Sequence, residues 1–235
     1  MNKRIIALFL FMLCFILTAI DASAITTGFE TEAKEDGKDA LDKREFVKFT
    51  SEPEKRTVHS FDVNPKGLIA IATEPSSDRG IVCIYSSEGE FQYGYSFMGY
   101  GNYDVEWDGD NLNIYFVRSD MLISVAPSGD ILDTVTVKDT TENNSYRNYF
   151  LHKTERRVDN TEYILRNDMG VFNYLASSYS QVVVKDLNGD ERIVYDVNST
   201  QMFTTVSIWV GGLLLFAIAF AIILRNMLKA NRNTQ

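Results

Sequence analysis

Cysteine is almost missing from this chain of 235 residues, which holds only Cys14 and Cys83. Cys14 lies in the N-terminal apolar run, so a chain cleaved behind that run keeps one thiol and forms no intrachain disulfide. Cys83 stands in the apolar stretch "IVCIY", where a small buried thiol is expected rather than an intermolecular bridge. Histidine is as scarce: His59 and His152 are the only two, and neither has a Ser or Cys partner near it in sequence. No phosphate-cradling loop and no metal-ligand spacing can be read. "GYSFMG" at 94–99 falls short of a nucleophile elbow, because its second glycine comes one residue late and a strand–turn–helix setting is lacking. "DLNGDE" at 186–191 opens like a calcium loop but has Glu at its sixth position, so it reads, like "WDGDN", as a hairpin turn. These absences argue against catalysis. No cofactor and no metal are expected.

Basic charge is also short. The chain has 23 Lys and Arg against 32 Asp and Glu; setting aside Lys3, Arg4, Arg225, Lys229, Arg232 and Asp21 leaves 18 against 31. A central region with a net charge of −13 repels phosphate backbones, which excludes nucleic acid as the expected ligand.

What the chain does have is concentrated first at its ends. Met1–Ala24 carries Lys3 and Arg4, the apolar run Ile5–Ile20, and then "DASA". That is the order of a signal peptide cleaved after Ala24. Near the other end, "VSIWVGGLLLFAIAFAIIL" (206–224) runs without a charge. At ~1.5 Å per residue it is just long enough for a hydrocarbon core of ~30 Å. Arg225, Lys229 and Arg232 follow it, while Asp186, Asp190, Glu191 and Asp196 precede it. The positive-inside rule then sets residues 225–235 in the cytoplasm and 25–205 outside. The expected location is the plasma membrane, in a single pass. Ser207, Gly211, Ala217 and Ala221 fall within one arc of the helix surface, a stripe of small residues that would let two such helices approach.

Residues 25–57 form a charged leader. Between Glu30 and Arg56, 16 of 27 residues are charged, and such a stretch is expected to be largely solvated and weakly ordered. Phe46–Phe49 is the one compact apolar group, a candidate short strand.

The body, 58–200, reads as β structure throughout. Apolar residues alternate at Val105 and Trp107 and at Leu112, Ile114 and Phe116. Turn pairs punctuate the runs at Lys66-Gly67, Glu88-Gly89, Asp108-Gly109, Ser128-Gly129 and Asn188-Gly189, where glycine supplies the positive φ that tight hairpins need. The turns recur: "SSEGEF" at 86–91 and "APSGDI" at 126–131 are one four-stranded blade apart. The hexapeptides "YFVRSD" (115–120) and "YILRND" (163–168) mark a further unit. The expected fold is an all-β ectodomain of about three propeller-blade-like four-stranded units, open or self-associating, followed by one transmembrane α-helix. Such rings usually take ~4–8 blades, so three would need a second copy or cover for an open edge.

The patterns "FDVNPKGLIAIA", "FQYGYSF", "VEWDGDNLNIYFVRSD", "ENNSY" and "NDMGVFNYLASSYSQ" resemble those of uncharacterised bacterial envelope proteins with a signal peptide, propeller-like repeats of the NHL or WD type and a C-terminal anchor. The resemblance implies architecture and location, and no activity.

The candidate ligand-binding residues are Tyr100, Tyr103, Trp107, Arg118 and Arg166. Phe91, Tyr93, Tyr95 and Phe97 are expected on one face of a strand, packing between units, while Tyr100 and Tyr103 in the glycine-rich connection are expected to be exposed. Each repeated arginine is expected to brace its strand end against Asp120 or Asp168. The leading function is an extracytoplasmic interaction or scaffold module that binds a protein partner or itself. A glycan receptor using exposed Tyr and Trp is the alternative; a hydrolase or lyase with Asp104 and Glu106 as acid and base is the second. Asn143 and Asn198 lie in N-x-Ser/Thr sequons.

Overall fold

The structure is a computed structural model that describes residues 25–34, 44–75, 79–99 and 101–232. The signal-peptide reading of 1–24 and the candidate Tyr100 lie outside the described residues.

Three antiparallel sheets and one long apolar C-terminal helix make up the chain. The first sheet contains β3 (Val58–Val63), β4 (Ile69–Thr73), β5 (Arg79–Tyr85) and β6 (Phe91–Met98) in chain order. The second contains β7 (Tyr103–Asp108), β8 (Asn111–Phe116), β9 (Met121–Val125) and β10 (Ile131–Val137). The third contains β11 (Glu155–Val158), β12 (Thr161–Arg166), β13 (Gln181–Lys185) and β14 (Glu191–Asp196). The charged leader adds a fifth strand to two of them. β1 (Thr31–Ala33) pairs along β10, and β2 (Val47–Phe49) along β6.

The turn between the third and fourth strands is the same in every sheet. Ser86, Ala126 and Asp186 each donate their N–H to the carbonyl four residues on, at 2.9, 2.9 and 3.1 Å, and each accepts from the glycine three residues on. Those glycines, Gly89, Gly129 and Gly189, have φ of +89°, +98° and +88°, a backbone region that an L side chain enters only at a cost.

The first sheet is the middle layer. Ile69, Ile71, Cys83 and Tyr85 on one face pack against Tyr163, Leu165, Val182 and Val184 of the third sheet. Ala70, Ala72, Val82 and Ile84 on the other face meet Leu112, Ile114 and Phe116 of the second. The alternation that sends odd and even residues to opposite faces thus gives two cores from one sheet. A bulge in the β5–β6 pairing between Ile84 and Tyr85 shifts the register. It sends Phe91 to the core shared with the third sheet, while Tyr93, Tyr95 and Phe97 stay with the second. The four aromatics therefore do not share a face, as strict alternation predicts; one inserted residue reverses the pattern.

The second and third sheets share no core cluster among the described residues. The far face of the second is covered from elsewhere: Ile25 and Phe29 of the leader, with Leu151, bury Tyr115, Leu122, Val135 and Val137. Leu151 ends the helical insertion between the second and third sheets. That insertion is α1 (Thr141–Tyr146), capped by the Thr140 hydroxyl accepting from Asn143 N, which runs into a π-turn (Arg147–Leu151). The far face of the third sheet carries ion pairs, Arg166 on Glu191 at 2.7 Å and Arg157 on Glu162 at 3.1 Å, with the apolar cross-strand row Ile164, Val183 and Ile193 between them.

The chain leaves β14 directly into α2 (Asn198–Arg232). The most apolar 18-residue stretch of Asn198–Ile223 has a mean hydropathy of 2.6 and none of it is buried, so one helix at the C-terminal end is long and apolar enough to cross a membrane; its first turn touches the sheets, with Gln201 Nε2 donating to Ser178 O at 2.8 Å.

Candidate functional site

The polar side chains that the fold brings together line the seam where β3, β7 and the π-turn converge. Asp104 of β7 is at their centre and fully buried. Its Oδ2 accepts from Arg147 Nε at 2.8 Å. Its Oδ1 lies 3.0 Å from His152 Nε2 and 3.3 Å from His59 Nε2. The His59 contact is off the line of a hydrogen bond, leaving a buried Nε2 without a hydrogen-bond partner. His59 Nδ1 faces Glu74 Oε1 at 3.6 Å. The two imidazoles meet edge to face, with 5.4 Å between ring centroids. His59 is the deeper of the two, with 15 % of its side chain exposed against 31 % for His152, so the cluster opens to solvent on the His152 side.

Burial alone would push the His59 pKa down, but the carboxylates of Asp104 and Glu74 outweigh it and raise it to about 9. For Asp104, burial pushes upward, and the hydrogen bonds of His152 and Arg147, with the His59 ring beside them, outweigh that and hold the carboxyl well below its usual range. An acid that stays ionised, with both oxygens engaged, is a poor proton shuttle.

Two further pairs extend the seam. Asp62 accepts from Arg156 Nε and from the Trp107 backbone N–H, both at 2.8 Å, and burial raises its pKa. Glu106 accepts from the Tyr146 hydroxyl and from Thr27 Oγ1; burial raises its pKa too. Glu106 is thereby tied to the leader and α1.

Among the described residues, His59, Asp104 and His152 are the one group of His, Cys or carboxylate side chains close enough to hold a metal ion, with ligand atoms within 4.8 Å of one another. Sequence reasoning missed the group because its members come from β3, β7 and the end of the π-turn. No spacing in the chain announces it; the only available signal was the presence of both histidines of a histidine-poor chain in the β-rich body.

The candidate ligand residues fare differently. Tyr103, expected to be exposed, is 2 % exposed. Its hydroxyl donates to Thr73 O at 2.6 Å and accepts from Ile81 N at 2.8 Å. It joins the middle sheet to β7 and has no face left for a ligand. Trp107 is half-buried against the same core. Arg118 is exposed in a 3-10 turn (Val117–Ser119). Arg166 pairs with Glu191 and Gln181 rather than with Asp168, while Asp120 accepts from Tyr115. The two arginines therefore do not brace their own hexapeptides. Ser207, Gly211, Ala217 and Ala221 lie on α2 away from the sheets. Asn143 is buried and hydrogen-bonded to Glu30 and Lys138, which withholds that sequon from modification.

The open surfaces are elsewhere. β14 pairs with β13 on one side only, and no strand among the described residues lies on its outer edge. Close to the start of α2, a 3-10 turn (Gly170–Leu175) holds out Val171 and Tyr174, 79 % and 94 % exposed. A cleft of about 510 Å³ separates α2 from Glu54–Thr57 and Leu175–Ser178.

Comparison with protein-family models, with curated proteins and with solved structures found no match.

Proposed function

We propose that this is a single-pass membrane protein that presents a non-catalytic β-sheet interaction module outside the cytoplasm and binds an extended segment of a protein partner along β14. One observation carries the reading: the first and second sheets each have a leader strand on their fourth strand, and the third sheet has none among the described residues. The outer edge of β14 offers the unpaired N–H and C=O groups that β1 and β2 satisfy elsewhere. Strand addition draws affinity from such main-chain groups and specificity from alternate side chains. The tether is α2. Arg225, Lys229 and Arg232 beyond its apolar stretch favour a cytoplasmic tail.

The identical Gly89, Gly129 and Gly189 turns support a common origin for the three sheets as propeller-like blades of the NHL or WD kind. A second copy completing the ring is disfavoured, because leader and insertion already cover the free face of the second sheet. Glycan binding loses one of its expected contacts with Tyr103 buried.

The test is a photo-crosslinking residue at Ile193 on β14, 45 % exposed, against one at Thr136 on β10, which pairs with Glu32 of β1. In intact membranes Ile193 should yield one discrete protein adduct and Thr136 none. No adduct at Ile193, or the same adducts at both positions, would overturn the proposal. Protease added to the outside should remove the sheets and spare the tail; loss of the tail alone would reverse the orientation.

A further inference from the structure

Two imidazole nitrogens and one carboxylate oxygen lie within 4.8 Å of one another in the seam, a grouping that suits a metal ion. A zinc-class ion binds His N at ~2.0–2.1 Å and carboxylate O at ~2.0–2.2 Å. Tetrahedral bonds of those lengths set neighbouring ligand atoms about 3.3–3.5 Å apart. Asp104 Oδ1 lies 3.3 Å from His59 Nε2 and 3.0 Å from His152 Nε2, close to that spacing.

The surroundings are those of ligands. Arg147 holds Asp104 by Oδ2 alone, leaving Oδ1 as the single inward oxygen. Glu74 faces Nδ1 of His59. The Oε1 stands 3.6 Å from that nitrogen, on the side from which a carboxylate commonly orients a metal-bound histidine. The Nε2 of His59 is buried and lacks a hydrogen bond. His152, partly exposed, leaves an approach from solvent.

We propose that His59, Asp104 and His152 bind one divalent transition-metal ion of the zinc class, with Glu74 orienting His59 and a fourth position open to water. Two imidazoles and one oxygen favour such an ion over calcium or magnesium, which take oxygen ligands. The ion would pin the end of the π-turn to β3 and β7, joining the helical insertion to both sheets. Nothing in this depends on how the β14 edge is used.

The experiment uses the full chain in detergent, stripped with chelator and titrated with Zn2+ by calorimetry, with Co2+ as a spectroscopic probe. One ion per chain, visible bands of tetrahedral Co2+ and a raised melting temperature are expected. His152→Asn, at a partly exposed position, should keep the melting temperature of the stripped protein and lose the Co2+ bands. Glu74→Gln should weaken Zn2+ binding about 10–100-fold without abolishing it. The proposal is overturned if the stripped protein takes up no Zn2+, or if the His59→Asn/His152→Asn double variant binds as the wild type does. It also fails if the Nε2 of His59 carries a proton by nitrogen NMR in the presence of Zn2+, for then the cluster is only an ion-pair network.

Discussion

Tyr103 and Cys83 show how single residues hold the layers together. Tyr103→Phe keeps the ring in its core but strands Thr73 O and Ile81 N in a buried place, where an unmet polar group costs about 1–3 kcal/mol. A loss of that order in chemical denaturation, with no change in glycan binding, is the expected outcome; an unchanged midpoint would remove the hydroxyl from the interface. Cys83 is 2 % exposed, and burial, with Glu52 adding, pushes its thiol up to about 12 from 9.0. A pKa raised by folding means that the native state favours the thiol. Its contribution is therefore complete below pH 9 and lost as pH rises through about 12. A thiol reagent at pH 8 should react only as fast as the chain opens, and fast labelling of the native protein would contradict the burial. The burial of Cys83 could be read from its apolar neighbours. That of Tyr103 could not, because its glycine-rich approach suggested a loop and nothing local showed that Gly80 leaves room for its ring. A Cβ on Gly80 would stand 2.8 Å from a ring carbon of Tyr103 and closer still to Phe97.

The element that best separates local from tertiary cost is the shared turn. Gly89 and Gly189 have nearly the same φ, +89° and +88°. A Cβ on Gly189 meets nothing within 4 Å, whereas one on Gly89 would stand 3.0 Å from the carbonyl oxygen of Val194 in the third sheet. Gly189→Ala should therefore cost only the left-handed strain, roughly 1–2 kcal/mol. Gly89→Ala should cost clearly more, since backbone has to move. Equal losses in melting experiments on the two variants would mean that the first and third sheets do not meet there. These turns were legible, since glycine after a polar residue between apolar runs has a direct backbone meaning. The strand run itself was legible too. The β5–β6 bulge was not, for one inserted residue leaves composition and period almost untouched while reversing the face of Phe91. Nor was β1, whose "TEA" has no apolar signal and is a strand because β10 offers it an edge.

On the scale of the whole molecule, the charged leader is structural where described. Phe46 stacks on Tyr95 and Phe97, Arg44 lies over the Phe116 ring at 4.0 Å, and Phe29 covers Tyr115. Deleting residues 25–34 removes β1 and bares Tyr115, Leu122, Val135 and Val137, an apolar face of the kind soluble surfaces avoid. The truncated protein should bind a hydrophobic dye and self-associate; a dye-silent, monodisperse product with unchanged melting would show that the leader is dispensable. Charge density hid this role, because scattered Phe and Ile among acids and lysines read as solvated until the surfaces they cover are known. The same leader imposes an order of events. Its residues come early in the chain, yet Glu30 is held by Asn143, 113 positions later, and Arg56 by Tyr195, 139 positions later. Loops that long close late, so in N-to-C order the first part of the domain to emerge is among the last to dock. β2 finds its partner once β6 is made and β1 only once β10 is made, while the Arg56 contact waits for β14; until each forms, the unpaired edges are exposed to mispairing.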